Sequence, residues 1–108
     1  GTARGGLAAA QFGDRCIFSY GASSVSNLVS NTGVVASDVT ASGTGRIGVA
    51  GAPYGGTKGL FAFGANGTTY YAMSNLVSTS GVIASDTSAV SGVTIRAQVN
   101  GAGYSISA

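Results

Sequence analysis

One thirteen-residue segment occurs twice in this chain with little change. Residues 26–38 have the sequence SNLVSNTGVVASD and residues 74–86 have SNLVSTSGVIASD, so ten of thirteen positions are identical at a spacing of 48 residues. Self-similarity at such a period indicates a repeat architecture, in which each unit buries its apolar face against its neighbours. The repeat therefore constrains the fold far more tightly than the activity.

The similarity extends beyond this segment and divides the chain into three parts. GTAR at the start of the chain is echoed by GTGR and VTIR, and RCIFSYG is echoed by KGLFAFG. We predict one whole unit over residues 1–42 (unit one), a second over 43–91 (unit two), and over 92–108 the opening of a third. Unit two carries additional residues around Asn66 to Tyr71, and such differences in loop length often lie on a binding face.

Strand signals dominate both units. An Ala- and Gly-rich run is followed by an aromatic-rich run, Arg15 to Tyr20 in unit one and Gly59 to Phe63 in unit two, and these short runs are bounded by glycine. The runs Ser24 to Ser30 and Tyr70 to Ser78 are each followed by a polar, Gly-containing turn and a second apolar run, which indicates a hairpin. The chain is therefore predicted to be all-β, with four antiparallel strands in each unit.

Four antiparallel strands in roughly 40 to 50 residues match one blade of a β-propeller. The small residues of the first strand suit the crowded centre of a ring, where neighbouring sheets converge. A parallel β-solenoid is the alternative fold, but its rungs usually have about 20 to 30 residues or fewer, so a 48-residue unit with hairpin turns fits it less well.

The motifs GTAR, IFSYG and SNLVSNTGVVASD together resemble the tandem kelch-like propeller repeats common in bacteriophage structural proteins. The resemblance covers nearly the whole chain. It departs from the usual kelch pattern in lacking Trp and the double glycine after the second strand, where Tyr20-Gly21 and Phe63-Gly64 stand instead. The resemblance implies a role in a virion, a tail or another extracellular adhesive surface, and it implies no catalytic residues.

Two units and a fraction cannot close a propeller, which typically has four to eight blades. The chain is then a piece of a longer array, or several copies close a ring, or copies stack head-to-tail into a filament. A neighbouring copy could complete the third unit by strand exchange, and such heterologous contacts give rings or fibres. We therefore predict a homo-oligomer or polymer.

Charged residues recur with the repeat. Arg4, Arg46 and Arg96 occur once per unit, and Asp38 and Asp86 stand shortly before the Arg of the next unit. We predict that these residues pin the junctions between units through ion pairs or hydrogen bonds. A ring of guanidinium groups that binds an anionic sugar is the functional alternative, and the presence of the residue in every copy favours the structural role.

The insertion of unit two holds the best candidates for ligand contact. Tyr70 and Tyr71 lie beside Asn66, and aromatic faces on loops commonly stack on sugar rings. The alternative is that strand alternation turns one tyrosine inward and that Asn66-Gly67 only forms a turn. A surface glycan is thus a possible partner.

Composition argues against several function classes. With no His and only three carboxylates, the chain lacks the material for the usual nucleophilic pairs and metal sites, so we predict no enzyme, cofactor or metal. The five cations are dispersed, which argues against nucleic acid, and no apolar run is long enough for a membrane helix. Cys16 is expected to be a buried small hydrophobic residue. The predicted function is structural or adhesive, with carbohydrate or receptor binding; the alternative is a purely structural subunit without a ligand.

Overall fold

The structure is a computed structural model that describes residues 1–40, 42–99 and 101, and the described residues contain β-strands and loops but no helix. Its strands are β1 (Leu7–Phe12), β2 (Arg15–Tyr20), β3 (Val25–Val29), β4 (Val39–Thr40), β5 (Ala50–Tyr54), β6 (Lys58–Ala62), β7 (Ala65–Asn66), β8 (Thr69–Tyr70) and β9 (Ser74–Val77). Every pairing between these strands is antiparallel. The prediction of an all-β protein is confirmed for this part of the chain.

Unit one forms a four-stranded meander in the order β1-β2-β3-β4. In the tight turn between the first two strands, Gly13 has φ 62°. Every second residue of β1 is buried, and these residues, Ala8, Ala10 and Phe12, lie on one face of the strand. The predicted hairpin after β3 closes where the Ser30 N–H donates to the Val34 carbonyl at 3.0 Å. Strand β1 thus presents one side to the interior, as in antiparallel sheets with one covered face, whereas both residues of β4 are exposed.

Unit two repeats this sheet with three strands, in the order β5-β6-β9. In the place of a fourth strand it has only isolated bridges, one of which pairs Ser74 with Thr87. The predicted strand from Tyr70 to Ser78 begins only at Ser74, because Tyr70 instead pairs with Ala65 in the small hairpin β7-β8. Gly67, at φ 63°, is the first of the two residues in that hairpin's turn. The insertion is therefore a hairpin of its own.

The core lies between the two sheets. One face of unit one packs on the opposite face of unit two, and the core residues are Ala8, Ala10, Phe12, Ile17, Tyr20, Val49, Phe61, Val77 and Ile83, with Leu28 packed against them. Tyr20 and Phe61 meet edge to face with ring centroids 5.4 Å apart. Apolar area is thus removed from water chiefly where one unit meets the next.

The first strands of the two units, β1 and β5, lie so close together that no side chain fits between their backbones at the point of closest approach. A Cβ at Gly51 would overlap the carbonyl of Ala9, and one at Gly101 would overlap the carbonyl of Gly51. These three residues hold equivalent places in successive parts of the chain, five residues after Arg4, Arg46 and Arg96. Residues 93–99 and 101, hereafter the third segment, therefore continue the succession of units on the far side of unit two.

Candidate functional site

An aromatic residue followed by glycine ends the second strand of each unit in a left-handed turn. Tyr20 and Gly21 have φ of 69° and 88°, and Phe63 and Gly64 have φ of 64° and 111°. A side chain at position 64 would also bring a Cβ to 2.9 Å from the carbonyl oxygen of Ile47. Glycine is therefore required there by both conformation and space, and the turn directs the aromatic carbonyl toward the arginine of its own unit.

Arg46 is fully buried and hydrogen-bonds three groups of unit two. Its Nε donates to the Phe63 carbonyl at 2.5 Å, Nη1 to the Thr44 carbonyl at 2.9 Å, and Nη2 to Asn75 Oδ1 at 2.8 Å. A guanidinium can be buried only when its fork of donors is satisfied, and these three bonds use all three of its nitrogens.

Asn75 links this arginine to Asp86. Its Nδ2 donates to Asp86 Oδ1 at 2.9 Å and to the Ala84 carbonyl at 3.1 Å, while Thr44 donates to the same carboxylate from its backbone N–H at 3.1 Å and its hydroxyl at 2.7 Å. Arg46 and Asp86 are thus connected through an amide and a hydroxyl-bearing residue. We call this group of Arg46, Asn75, Asp86 and Thr44 the unit-two clasp.

The clasp also reaches across to unit one. The guanidinium carbon of Arg46 lies 4.6 Å from the ring centroid of Tyr20, and the Arg46 carbonyl accepts hydrogen bonds from the N–H groups of Gly21 and Ala22 at 3.1 and 3.2 Å. Stacking of a desolvated guanidinium on an aromatic ring is favourable. Arg46 therefore touches both units at the junction for which the sequence predicted it.

Unit one holds an equivalent clasp. Arg4 Nε donates to the Tyr20 carbonyl at 2.7 Å and Nη2 to Asn27 Oδ1 at 2.8 Å, and Asn27 Nδ2 donates to Asp38 Oδ1 at 2.7 Å. The Thr2 hydroxyl donates to Asp38 Oδ2 at 2.5 Å. This clasp is only half-buried, because no unit of the described chain lies on its outer side. The two asparagines and two threonines were not singled out from the sequence, although both occupy matching places in the repeat.

Arg96 is held differently. Its guanidinium carbon lies 4.7 Å from the ring centroid of Phe63 and its carbonyl accepts from the Gly64 N–H at 2.9 Å, as Arg46 does on unit one. Its side chain, however, is exposed, and among the described residues it donates only to the Thr94 carbonyl, at 3.1 Å. Arg46 and Arg96 thus lie at the two junctions of the described chain. Asp38 and Asp86, which were predicted to pin the arginine of the next unit, are instead joined through asparagine to Arg4 and Arg46 of their own units.

Hydrogen bonding sets the ionisation of the clasp carboxylates. The Thr2 hydroxyl and then Asn27 lower the pKa of Asp38 from its ordinary value of 3.8 to about 2. For Asp86, desolvation alone would raise the pKa, but hydrogen bonds from Asn75 and Thr44 outweigh it, and the pKa is lowered. Both carboxylates therefore accept hydrogen bonds in their charged form.

These lowered pKa values predict a loss of stability in acid. Because Asp38 and Asp86 bind protons less readily when folded than when unfolded, they stabilise the fold above about pH 4. This stabilisation is lost as the pH falls through their lowered pKa values, which for Asp38 is about 2. Urea unfolding between pH 2 and 6 should show the free energy of unfolding decreasing in that window. The double variant D38N/D86N should flatten the decrease, and an unchanged slope would contradict the role of the clasps.

The residues of the insertion lie around a small cleft. Tyr70 is 50% exposed and lines a cavity of 170 Å³ together with Gln98 and Ile47, while Tyr71 is half-buried and Asn66 is exposed at the hairpin turn. The backbone of Tyr71 is fixed by its N–H bond to the Gly64 carbonyl at 2.9 Å. Of the three predicted ligand residues, only Tyr70 lines this cleft.

Cys16 is half-buried instead of fully buried, because it lies on the outer side of unit one, which no other described unit covers. Within the described residues there is no group of three or more side chains suited to hold a metal ion. The same residues include no helix long and apolar enough to cross a membrane.

Comparison with known proteins finds no matching family model, no similar curated protein and no similar solved structure.

Proposed function

We propose that this chain is a non-enzymatic structural module that builds a larger assembly by adding further units of its own kind. The observation that carries the proposal is that, among the described residues, each unit is covered by another whole unit on one side only. The interface between units one and two buries one face of each. Among the described residues, the other face of unit one has no neighbouring unit, and the other face of unit two is covered only in part, by the third segment. Repeats that stack in this way gain stability from each neighbour they acquire.

The open side of unit one is the counterpart of a buried surface. We define the leading face as Leu7, Phe18, Val29 and Val35. In unit two the equivalent residues are Val49, Phe61, Val77 and Ile83, and all four are buried against unit one, with exposures of 7%, 0%, 0% and 4%. In unit one, Leu7 is 38% and Val35 is 55% exposed. The leading face therefore has the chemistry of an interface without a neighbour.

The open side of unit two is likewise equivalent to a surface that is buried in unit one. We define the trailing face as Ala52, Tyr54, Leu60 and Leu76, whose equivalents in unit one are Ala10, Phe12, Ile17 and Leu28 of the core. Leu76 is 43% exposed, and Leu60 and Tyr54 are half-buried. A leading face can thus meet a trailing face of a second copy in a head-to-tail contact that continues into a ring or a filament. Because Ala9 and Cys16 stand where Gly51 and Gly59 lie against unit one, the two sheets of this contact would lie further apart than those of units one and two.

The proposed assembly has the architecture of a β-propeller or a related stack of antiparallel sheets. It is supported by the four-stranded meander of unit one and by the close approach of β1 and β5. The resemblance to phage repeats supports a place in a virion or another extracellular structure. The composition, without His and with three carboxylates, supports a non-enzymatic role.

Two neighbouring valines test the proposal with a matched control. Val35 and Val34 are both exposed, but the equivalent of Val35 is buried Ile83, whereas the equivalent of Val34 is Val82, which is itself 64% exposed. We expect the wild-type chain to self-associate in sedimentation equilibrium. Val35→Asp should weaken the association at least tenfold, because a carboxylate would enter an apolar interface, and Val34→Asp should not.

Cys16 supplies a second readout of the same contact. Its equivalent is Gly59, where a Cβ would lie 3.3 Å from the carbonyl oxygen of Gln11 in unit one. Labelling of the Cys16 thiol should therefore slow as the concentration of wild-type chain rises, and it should not slow for Val35→Asp. Equal association of the two valine variants would refute the proposed contact.

A second candidate function is the binding of an uncharged sugar at the cleft beside Tyr70. It is favoured by an exposed aromatic ring on a short hairpin that faces the Gln98 side of a 170 Å³ cavity. Glycan-array binding that is lost in Tyr70→Ala but kept in Val35→Asp would support it and separate it from self-association. An array without a hit for the wild-type chain would contradict it.

A further inference from the structure

Three departures from the repeat meet at one place on unit two, and the first is a smaller side chain. Where unit two begins against unit one, a Cβ at Gly6 would lie 3.0 Å from the Cβ of Ile47. The third segment begins against unit two with Ala97 in the place of Ile47, and its Cβ would lie 3.4 Å from one at Gly48. The cavity of 170 Å³ beside Tyr70 is lined by both Gly48 and Ala97. The smaller side chain therefore leaves room at the second junction.

The second departure is a glutamine in the place of a glycine. Gly6 and Gly48 have φ of 67° and 65°, and the equivalent residue of the third segment is Gln98, with φ 58°. A side chain in this left-handed region strains the backbone. Strain of this kind concentrates at functional sites, where the side chain that causes it is needed. Gln98 is exposed and lines the cleft, so its amide is accessible to a ligand there.

The third departure is the insertion of unit two, which forms another wall of the cleft. Its hairpin β7-β8 is held to the start of unit two, because Ile47 and Ala65 exchange two backbone hydrogen bonds of 2.9 Å. It is held to the third segment through Tyr71, whose carbonyl accepts from the Arg96 N–H at 3.2 Å. The cleft and the half-exposed ring of Tyr70 are therefore in place before a ligand arrives, which lowers the entropic cost of binding.

The lining of the cleft favours a small neutral group with both a donor and an acceptor. None of the described residues around it is charged, so a charged group would lose its hydration there without compensation. A glutamine amide donates through its nitrogen and accepts through its oxygen. An acetamido group offers the matching carbonyl and N–H within one planar unit, and its methyl group can contact the side chains of Ile47 and Ala97. The cavity of 170 Å³ is smaller than the roughly 300 Å³ at which common ligand pockets begin, so it suits a substituent better than a whole sugar ring.

We propose that this cleft binds the acetamido group of an N-acetylated sugar, with the Gln98 amide bonded to the group and the Tyr70 ring packed against the sugar. The inference rests on the second candidate function and adds to it the substituent that is recognised and the residue that selects it. A sugar with a hydroxyl group at that position would leave the Gln98 amide partly unpaired and Ala97 without its apolar contact. The cleft therefore discriminates between the two sugars.

Matched pairs of sugars test this selectivity. Binding of the methyl glycosides of N-acetylglucosamine and N-acetylgalactosamine to the full chain is compared with that of the methyl glycosides of glucose and galactose, by saturation-transfer difference NMR. We expect an N-acetylated glycoside to bind about tenfold more tightly than its hydroxyl counterpart, with the strongest saturation on the acetamido methyl group. Equal binding within each pair, or tighter binding of the hydroxyl counterparts, would refute the inference.

Two variants that restore the repeat identify the residues responsible. Gln98→Gly copies the glycines of the other two units, so it should leave the melting temperature at or above that of the wild type while weakening binding of the N-acetylated glycoside about tenfold. Ala97→Ile copies the first junction and should close the cleft, with a similar loss. Val34→Asp, in unit one, is the control and should change neither property.

The outcomes separate this inference from the second candidate function. If Tyr70→Ala loses binding of a sugar but Gln98→Gly retains it, the role of Gln98 is refuted and sugar binding at the cleft stands. The same holds if the wild-type chain binds only sugars without an acetamido group. If no glycoside and no glycan of an array binds the wild-type chain, both are refuted. Loss of N-acetylated glycosides alone in a stable Gln98→Gly variant would support both.

Discussion

Replacing Arg46 with alanine is expected to lower the free energy of unfolding by about 4 kcal/mol, which would leave a domain of this size close to unfolding. The change leaves the buried Asn75 Oδ1 and two part-buried backbone carbonyls without their donor, and the loss at a buried acceptor costs about 1–3 kcal/mol. It also removes the stacking on Tyr20 that joins the two units.

The repeat provides matched controls for this measurement. Arg96→Ala should cost less than about 1 kcal/mol, because that side chain is exposed, and Arg4→Ala should fall between the two, because its clasp is half-buried. Arg46→Lys keeps the charge without the planar fork and should recover little of the loss. Urea unfolding of the four variants gives the order, and an unchanged midpoint for Arg46→Ala would contradict the structural role of the clasp.

Adding one methyl group at Gly51 is expected to destabilise the chain by about 3 kcal/mol. The new Cβ would overlap the carbonyl of Ala9 in the neighbouring unit, and a backbone atom cannot move aside as a flexible side chain can. The strands β1 and β5 would have to separate, and the core between the units would lose packing along their length. The effect therefore arises from the contact between units, because Gly51 does not have a positive φ.

Gly5→Ala is the control for this substitution, since nothing lies within 4 Å of a Cβ at that position and its φ is not positive. It should change the free energy of unfolding by less than about 0.5 kcal/mol. Thermal or urea unfolding followed by circular dichroism compares the two variants. Equal midpoints would mean that β1 and β5 do not approach as closely as the structure shows.

Local patterns were sufficient to locate most of the strands. Glycine-bounded apolar runs predicted β2 with the bounds it has, and hairpin signals placed the turn at Gly33, which has φ 83°. These features depend on the preferences of single residues and on alternation, both of which a sequence displays. The predicted start of the last strand at Tyr70 was wrong, because the strand propensity of a tyrosine does not distinguish a short hairpin such as β7-β8 from the start of β9.

The clasp could be predicted only in part. The recurrence of Arg46 and Asp86 with the repeat indicated a junction, but Asn75, which bonds both, lies within a segment in which most residues recur. Recurrence indicates which residues each unit needs, but it does not indicate which of these residues are in contact with one another. Only the close approach of β9 to the start of the unit identifies the amide as the link.

The sequence by itself determined that this protein is built from repeated antiparallel strands, since period, alternation and turn residues are properties of the chain over short distances. The tertiary structure alone decided which face of each unit is covered and which is open. Val34 and Val35 have the same side chain and neighbouring places, yet their equivalents are respectively exposed and buried. Burial depends on the position of the adjacent unit in space, and that position is fixed by packing between distant parts of the chain.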